Sequence, residues 1–125
     1  MDRIDTDKAP KAIGTYSQGT KVEDFIFTSG QIAINPKTEN LVIKDFKEEV
    51  FQVLNNIEAV LEAGGGDKDS IVKLTVFLID LSKFEIVNNV FKSYFKNKFP
   101  SRSVVEVSAL PLGVNIEIEA IGKVI

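Results

Sequence analysis

At 125 residues, with 44% hydrophobic and 26% charged side chains, the chain has the size and balance of one globular domain, residues 1–125, around a single core. It contains no cysteine and no histidine, which excludes thiol nucleophiles, disulfides, cysteine-ligated metals and the commonest general base. A formal charge of −3 gives no overall basic field to draw in nucleic acid.

The opening segment, MDRIDTDKAPKAIG, is polar and lacks an apolar h-region, so no signal peptide is expected. No run approaches the length of a bilayer span, and a soluble, cytoplasmic protein is the expectation. Short β-rich pieces follow, punctuated by Gly14, Gly19, Gly30 and the Asn35-Pro36 turn. Strands are predicted near Ser17–Lys21 and Phe25–Ile32, joined as a hairpin through Glu23-Asp24.

The period then changes. Phe46, Val50, Val53, Leu54, Ile57, Val60 and Leu61 form one helical stripe, with Asp45 and Glu48 spaced as a capping box and Gly64 to Gly66 as the stop. In SIVKLTVFLID the even positions Val72, Leu74, Val76 and Leu78 are wholly apolar, which predicts a strand with that face under the helix. A second amphipathic helix follows, capped by Ser82 and Glu85, with Phe84, Val87, Phe91 and Phe95 buried and Pro100 as its limit.

Two strands close the chain, over RSVVEVSA and NIEIEAIGKV. Alternation within them predicts that Arg102, Glu106, Glu117 and Glu119 share the less apolar face. The element order implies helices on one face of a mixed sheet. Thr75, Phe77, Ile79, Val104 and Ile121 are then expected on the open face, which is too apolar for water alone and predicts self-association. No loop carries the spaced acidic pattern of a calcium site, and no metal is expected.

Five collinear blocks carry a family resemblance: AIGTYSQG, FTSGQIAINPKT, VLNNIEAVLEAGGGDKDSIVKLTVFLIDL, PSRSVVEVSALPLGV and NIEIEAI. Together they resemble the RidA (YjgF-type) family of reactive-intermediate imine deaminases over nearly the whole chain. The resemblance implies an α+β, chorismate-mutase-like fold: a mixed sheet of about six strands, two helices on one face, and a homotrimer with clefts between subunits. It implies that the final strand inserts between earlier strands, where local sequence alone suggests a hairpin across ALPLGV. It implies hydrolysis of enamines and imines made by pyridoxal-phosphate dehydratases (2-aminoacrylate, 2-iminopropanoate, 2-iminobutanoate) to 2-keto acids and ammonia, without cofactor or metal.

Roles follow residue by residue from the matching positions. Arg102 stands at the position of the arginine that holds the substrate carboxylate, a task suited to a planar, permanently charged fork. Glu117 stands at that of the acid that orients or activates water, with Glu119 as a neighbour of structural pairing. Tyr16, Ser29, Gly30 and Asn88 match cleft positions, and Val104, where many members have cysteine, would contribute backbone only. Thr15 and Ala109 also depart from the common pattern, at positions of proline and arginine, and bear on substrate range. Glu106 has no assigned role, and Phe84 and Phe91 read as core. Two rival readings stay open: a trimeric module that binds keto acids or amino acids without catalysis, which a retained Arg102 equally allows, and, implied by the resemblance because some family members are described so, an endoribonuclease or translation inhibitor, which the acidic balance disfavours.

Overall fold

Strand and helix periods segregate along the chain, and a computed structural model describes the outcome for residues 1–125. Six strands, β1 (Asp2–Ile4), β2 (Gly19–Val22), β3 (Phe25–Thr28), β4 (Ile71–Leu78), β5 (Ser101–Glu106) and β6 (Ile116–Lys123), form one sheet in the order β1-β2-β3-β6-β4-β5. Two helices, α1 (Phe46–Ala63) and α2 (Phe84–Phe95), complete an α+β fold. β6 does insert between β3 and β4, antiparallel to both, while β5 runs parallel to β4 at the sheet edge. No helix is long and apolar enough to cross a membrane.

α1 follows its predicted stripe, with Val50, Val53, Leu54, Ile57, Val60 and Leu61 completely buried. Asp45 caps it by accepting from Lys47 N at 3.1 Å, so the cap is the aspartate alone and not the Asp45–Glu48 box. Gly64 ends it, and a methyl group there would meet Ile26 Cδ1 at 2.7 Å. β3 is shorter than predicted: the chain leaves the ladder after Thr28 and returns only at Gln31, which exchanges backbone bonds with Ile118.

Three further expectations need correction. A β-bulge between Ile71 and Lys73 slips the parity at the start of β4, so Ile71 is buried and Val72 is exposed; from Leu74 onward the even face packs as predicted. The turn before α2 is capped by Asp80, which accepts from Ser82 N and Oγ, and Lys83 at the helix start has no side-chain cap, so Ser82 and Glu85 do not form one. Phe84 lies outside the core; α2 buries Val87, Val90, Phe91, Tyr94 and Phe95 instead.

The largest correction concerns the faces of the sheet. In β5, Arg102, Val104 and Glu106 stand opposite Leu74, Val76 and Leu78, so they share the helix side. In β6, Glu117 and Glu119 stand opposite Phe77 and Thr75 on the open side. Alternation within each strand is as predicted, but the relative phase of two strands depends on register. Val104 therefore packs against the core, and Val105 takes its place on the open face with Phe25 and Phe27. Glu106 acquires a role: its Oε1 accepts from Leu81 N at 2.9 Å and holds the turn between β4 and α2.

Candidate functional site

Glu117 projects from β6 into an open depression of about 270 Å³ that it shares with Tyr16, Ser29 and Gly30. Ser29 is fixed twice: its amide donates to Gln18 O at 2.9 Å and its hydroxyl to Ser17 O at 2.6 Å. Tyr16 Oη accepts from Ile13 N at 3.2 Å, which folds the segment before it over the mouth. Gly30 lies directly against the Glu117 side chain, where a methyl group would sit 2.8 Å from Cδ and closer still to Oε2. Its φ is not in the left-handed region, so the glycine is there for space. Desolvation, and then the negative charge of Glu119, raise the Glu117 carboxyl above the ordinary carboxylate range. That is the direction which makes a carboxylate a better proton acceptor near neutral pH.

Arg102 and Asn88 form a separate group at the edge of the sheet. Arg102 Nη1 donates to Asn88 Oδ1 at 2.8 Å, and the guanidinium carbon lies 5.1 Å from the Phe84 ring centre and 5.3 Å from that of Phe91. The two rings and the amide restrain the intrinsically planar fork in one place, as a preformed anion receptor requires. Burial pulls the guanidinium below its ordinary value, and the group stays charged. Asn88 and Arg102 share their own hollow with Phe91, Lys92 and Phe99. The exposed Phe84 thus serves as a platform for Arg102.

The two groups do not meet within one chain. Arg102 stands at Leu74 and Glu117 at Phe77, on strands either side of β4 and on opposite faces of the sheet. By strand geometry their Cα atoms are about 10 Å apart across the sheet and about 10 Å along it. Val104 faces the core, so it can offer a ligand only backbone groups.

Comparisons with known proteins locate this arrangement. Residues 6–124 match the family described as Endoribonuclease L-PSP. Human 2-iminobutanoate/2-iminopropanoate deaminase is 47% identical over 118 residues, covering 94% of this chain and 86% of the relative. The chain belongs to the RidA family. RidA from an Antarctic Psychrobacter superposes with a TM-score of 0.95 at 44% identity, over 99% of this chain and 100% of that one. A RutC family protein from Saccharolobus solfataricus is 49% identical over 120 residues, covering 96% of this chain and 95% of that protein.

Two buried polar residues outside the expected set hold the walls of this RidA-type depression. Gln18, 2% exposed, accepts from Thr6 N at 2.7 Å and donates to the carbonyls of Thr6, Ala9 and Pro10. Asn56, 1% exposed, donates to Ile32 O and Ile34 O and accepts from Gln52. Pro10, Ile32 and Ile34 all line the pocket. Asn56 was readable in principle as a polar residue within the buried stripe of α1; Gln18 left no such signal, because its partners lie in irregular chain. Gln18→Ala is expected to cost about 3 kcal/mol in urea denaturation, since buried carbonyls lose their donor. Hydrogen exchange should localise the loosening to residues 6–10.

Proposed function

We propose that the protein hydrolyses 2-imino acids and their enamine tautomers, such as 2-aminoacrylate, 2-iminopropanoate and 2-iminobutanoate, to 2-keto acids and ammonia. We further infer that it does so in clefts completed by a second copy, in a cyclic homotrimer. Arg102 and Asn88 of one chain would hold the substrate carboxylate, and Glu117 of its neighbour would handle the water. Tyr16, Ser29 and Gly30 would close the cleft around the reacting carbon. One observation carries this reading: the anion receptor and the raised-pKa carboxylate lie on opposite faces of one protomer, so neither is a site alone. The half-exposed Phe25, Phe27 and Val105 on the open face favour a neighbour seated there.

Chemically, water adds to the protonated C=N carbon as Glu117 accepts its proton, giving a carbinolamine. The carboxyl then returns that proton to the nitrogen and takes the hydroxyl proton as the C–N bond breaks and the C=O bond forms, so that ammonia leaves the keto acid. The identity of the human deaminase relative supports the same chemistry. No step asks for the histidine or cysteine the chain lacks.

The test is keto-acid release from 2-iminobutanoate generated in situ by an amino-acid oxidase. Arg102→Ala is expected to lower kcat/KM about a hundredfold, roughly the value of two charge-assisted hydrogen bonds. Undiminished turnover by that variant would sink the assigned anchor. Calorimetric binding of 2-ketobutyrate without any imine turnover would favour the binding module.

A further inference from the structure

We propose that Glu49 is a positioning residue for Glu117, acting as a buried latch on the entry to β6; this rests on the hydrolytic reading above. Glu49 lies in the first turns of α1 and is completely buried, yet it touches neither half of the candidate site. Its Oε2 accepts from Asn115 N at 2.8 Å and its Oε1 from Asn115 Nδ2 at 2.7 Å. These bonds span 66 positions of sequence and join the start of α1 to the residue just before β6. A carboxylate near a helix N-terminus is favourably placed by the helix dipole. Burying one elsewhere than in a site is costly unless its bonds do something.

What they do follows from the chain downstream. The loop before β6 contains Leu112 and Gly113 with φ of +56° and +70°, and its short turn over Pro111–Gly113 packs little of itself away. Asn115 is where that loop becomes sheet: Glu49 holds its amide and side chain, and its carbonyl accepts from Ile79 N at 3.3 Å. Glu117 follows two residues later. On its other side, Ile118 exchanges two backbone bonds with Gln31, next to Gly30. Glu117 is therefore bracketed, with Ile118 fixed by the Gly30 segment and Asn115 fixed by Glu49. Removing the second bracket frees Asn115 on the side facing α1, so the first residues of β6 can shift along their pairing with β4 and carry the carboxylate with them. Displacements of about 1 Å at a reacting group cost up to a hundredfold in rate.

The latch can be broken or preserved at one position. Glu49→Leu fills the space but leaves Asn115 N and Nδ2 unpaired. Glu49→Gln keeps both contacts if the Asn115 amide turns over, so that the new side-chain amide donates to Asn115 Oδ1 and its carbonyl accepts from Asn115 N. With 2-iminobutanoate, Glu49→Leu should lower kcat between about tenfold and a hundredfold with KM within about twofold, because the carboxylate anchor lies elsewhere. Glu49→Gln should stay within about threefold of the parent in kcat. Asn115→Ala, which keeps the backbone bond, is the milder break should Glu49→Leu not fold, and should lose several-fold in kcat. A folded Glu49→Leu or Asn115→Ala protein with parental kcat overturns the latch. So does Glu49→Gln as damaging as Glu49→Leu, which would point to the charge and not the contact. If the parent turns over no imine at all, the hydrolytic reading fails on its own. Amide exchange then decides the latch: Glu49→Leu should speed exchange at Ile116 and Glu117 selectively, and uniform or unchanged exchange overturns it.

Discussion

Mixing Arg102→Ala chains with Glu117→Gln chains is expected to restore activity that neither variant has alone. On the proposed shared cleft, each variant would spoil every cleft of its own homo-oligomer, because each cleft would need one Arg102 and one Glu117. In co-assembled chains, a cleft is intact when an Arg102 donor of one type meets a Glu117 donor of the other. For random assembly at equal amounts, about a quarter of all clefts in a cyclic oligomer are then of parental composition. The fraction is the same for two, three or more subunits, so the result tests the shared cleft separately from the trimer. Size-exclusion chromatography with light scattering supplies the subunit number. The measurement is keto-acid release after co-refolding or co-expression, set against the separate variants. No recovery in proven mixed oligomers would mean that both residues act within one chain, against the sheet geometry that places them on opposite faces.

That geometry also shows where the sequence stopped being legible. Periodicity identified α1 correctly because its stripe is continuous and its backbone hydrogen bonds are local, whatever it packs against. It also found the alternation of β5 and β6 separately. It failed to relate them, since whether Arg102 and Glu117 share a face depends on a parallel register to β4 in one case and an antiparallel one in the other. Val72 failed for a similar reason: a single bulge reverses parity, and bulges leave no hydrophobic signature. Phe84 failed because a phenyl ring on an amphipathic helix reads as core, whereas here it carries a guanidinium. The insertion of β6 came from family resemblance, since nothing in ALPLGV distinguishes a crossing loop from a hairpin. The proposed site residues fall into two coherent groups, Tyr16, Ser29, Gly30 and Glu117 in one and Asn88 and Arg102 in the other. The residues holding them, Gln18, Asn56 and Glu49, were not found, because their partners are far away in sequence.

Gly30→Ala and Glu117→Gln are expected to abolish most activity while moving stability in ways that distinguish them. The methyl group added by Gly30→Ala would collide with the Glu117 carboxylate, the movable end of a half-exposed side chain, so the carboxylate swings away and the backbone stays. The fold should lose less than about 1 kcal/mol, while kcat falls about a hundredfold because the proton acceptor has left its place. Glu117→Gln removes the proton acceptor itself, with a loss of about a hundredfold or more. Its stability effect has the opposite sign. Burial, and then Glu119, raise the Glu117 pKa in the folded protein, so the folded state binds the proton more readily than the unfolded chain. The stability contributed by this group is therefore present below the ordinary carboxylate pKa and lost as pH rises through the raised one. At neutral pH the ionised side chain is a burden on the fold, and glutamine relieves it by up to about 1 kcal/mol after allowance for solvent screening. Melting curves at pH 7 should place Glu117→Gln above the parent, and the difference should vanish near pH 3, where the parent carboxyl is protonated in both states. The same titration governs turnover: the parent rate should fall as pH drops through the raised pKa. A Glu117→Gln protein that is inactive and less stable than the parent at pH 7 would refute this account of the carboxylate. A Gly30→Ala protein with full activity would show that the reaction does not need Glu117 where it lies.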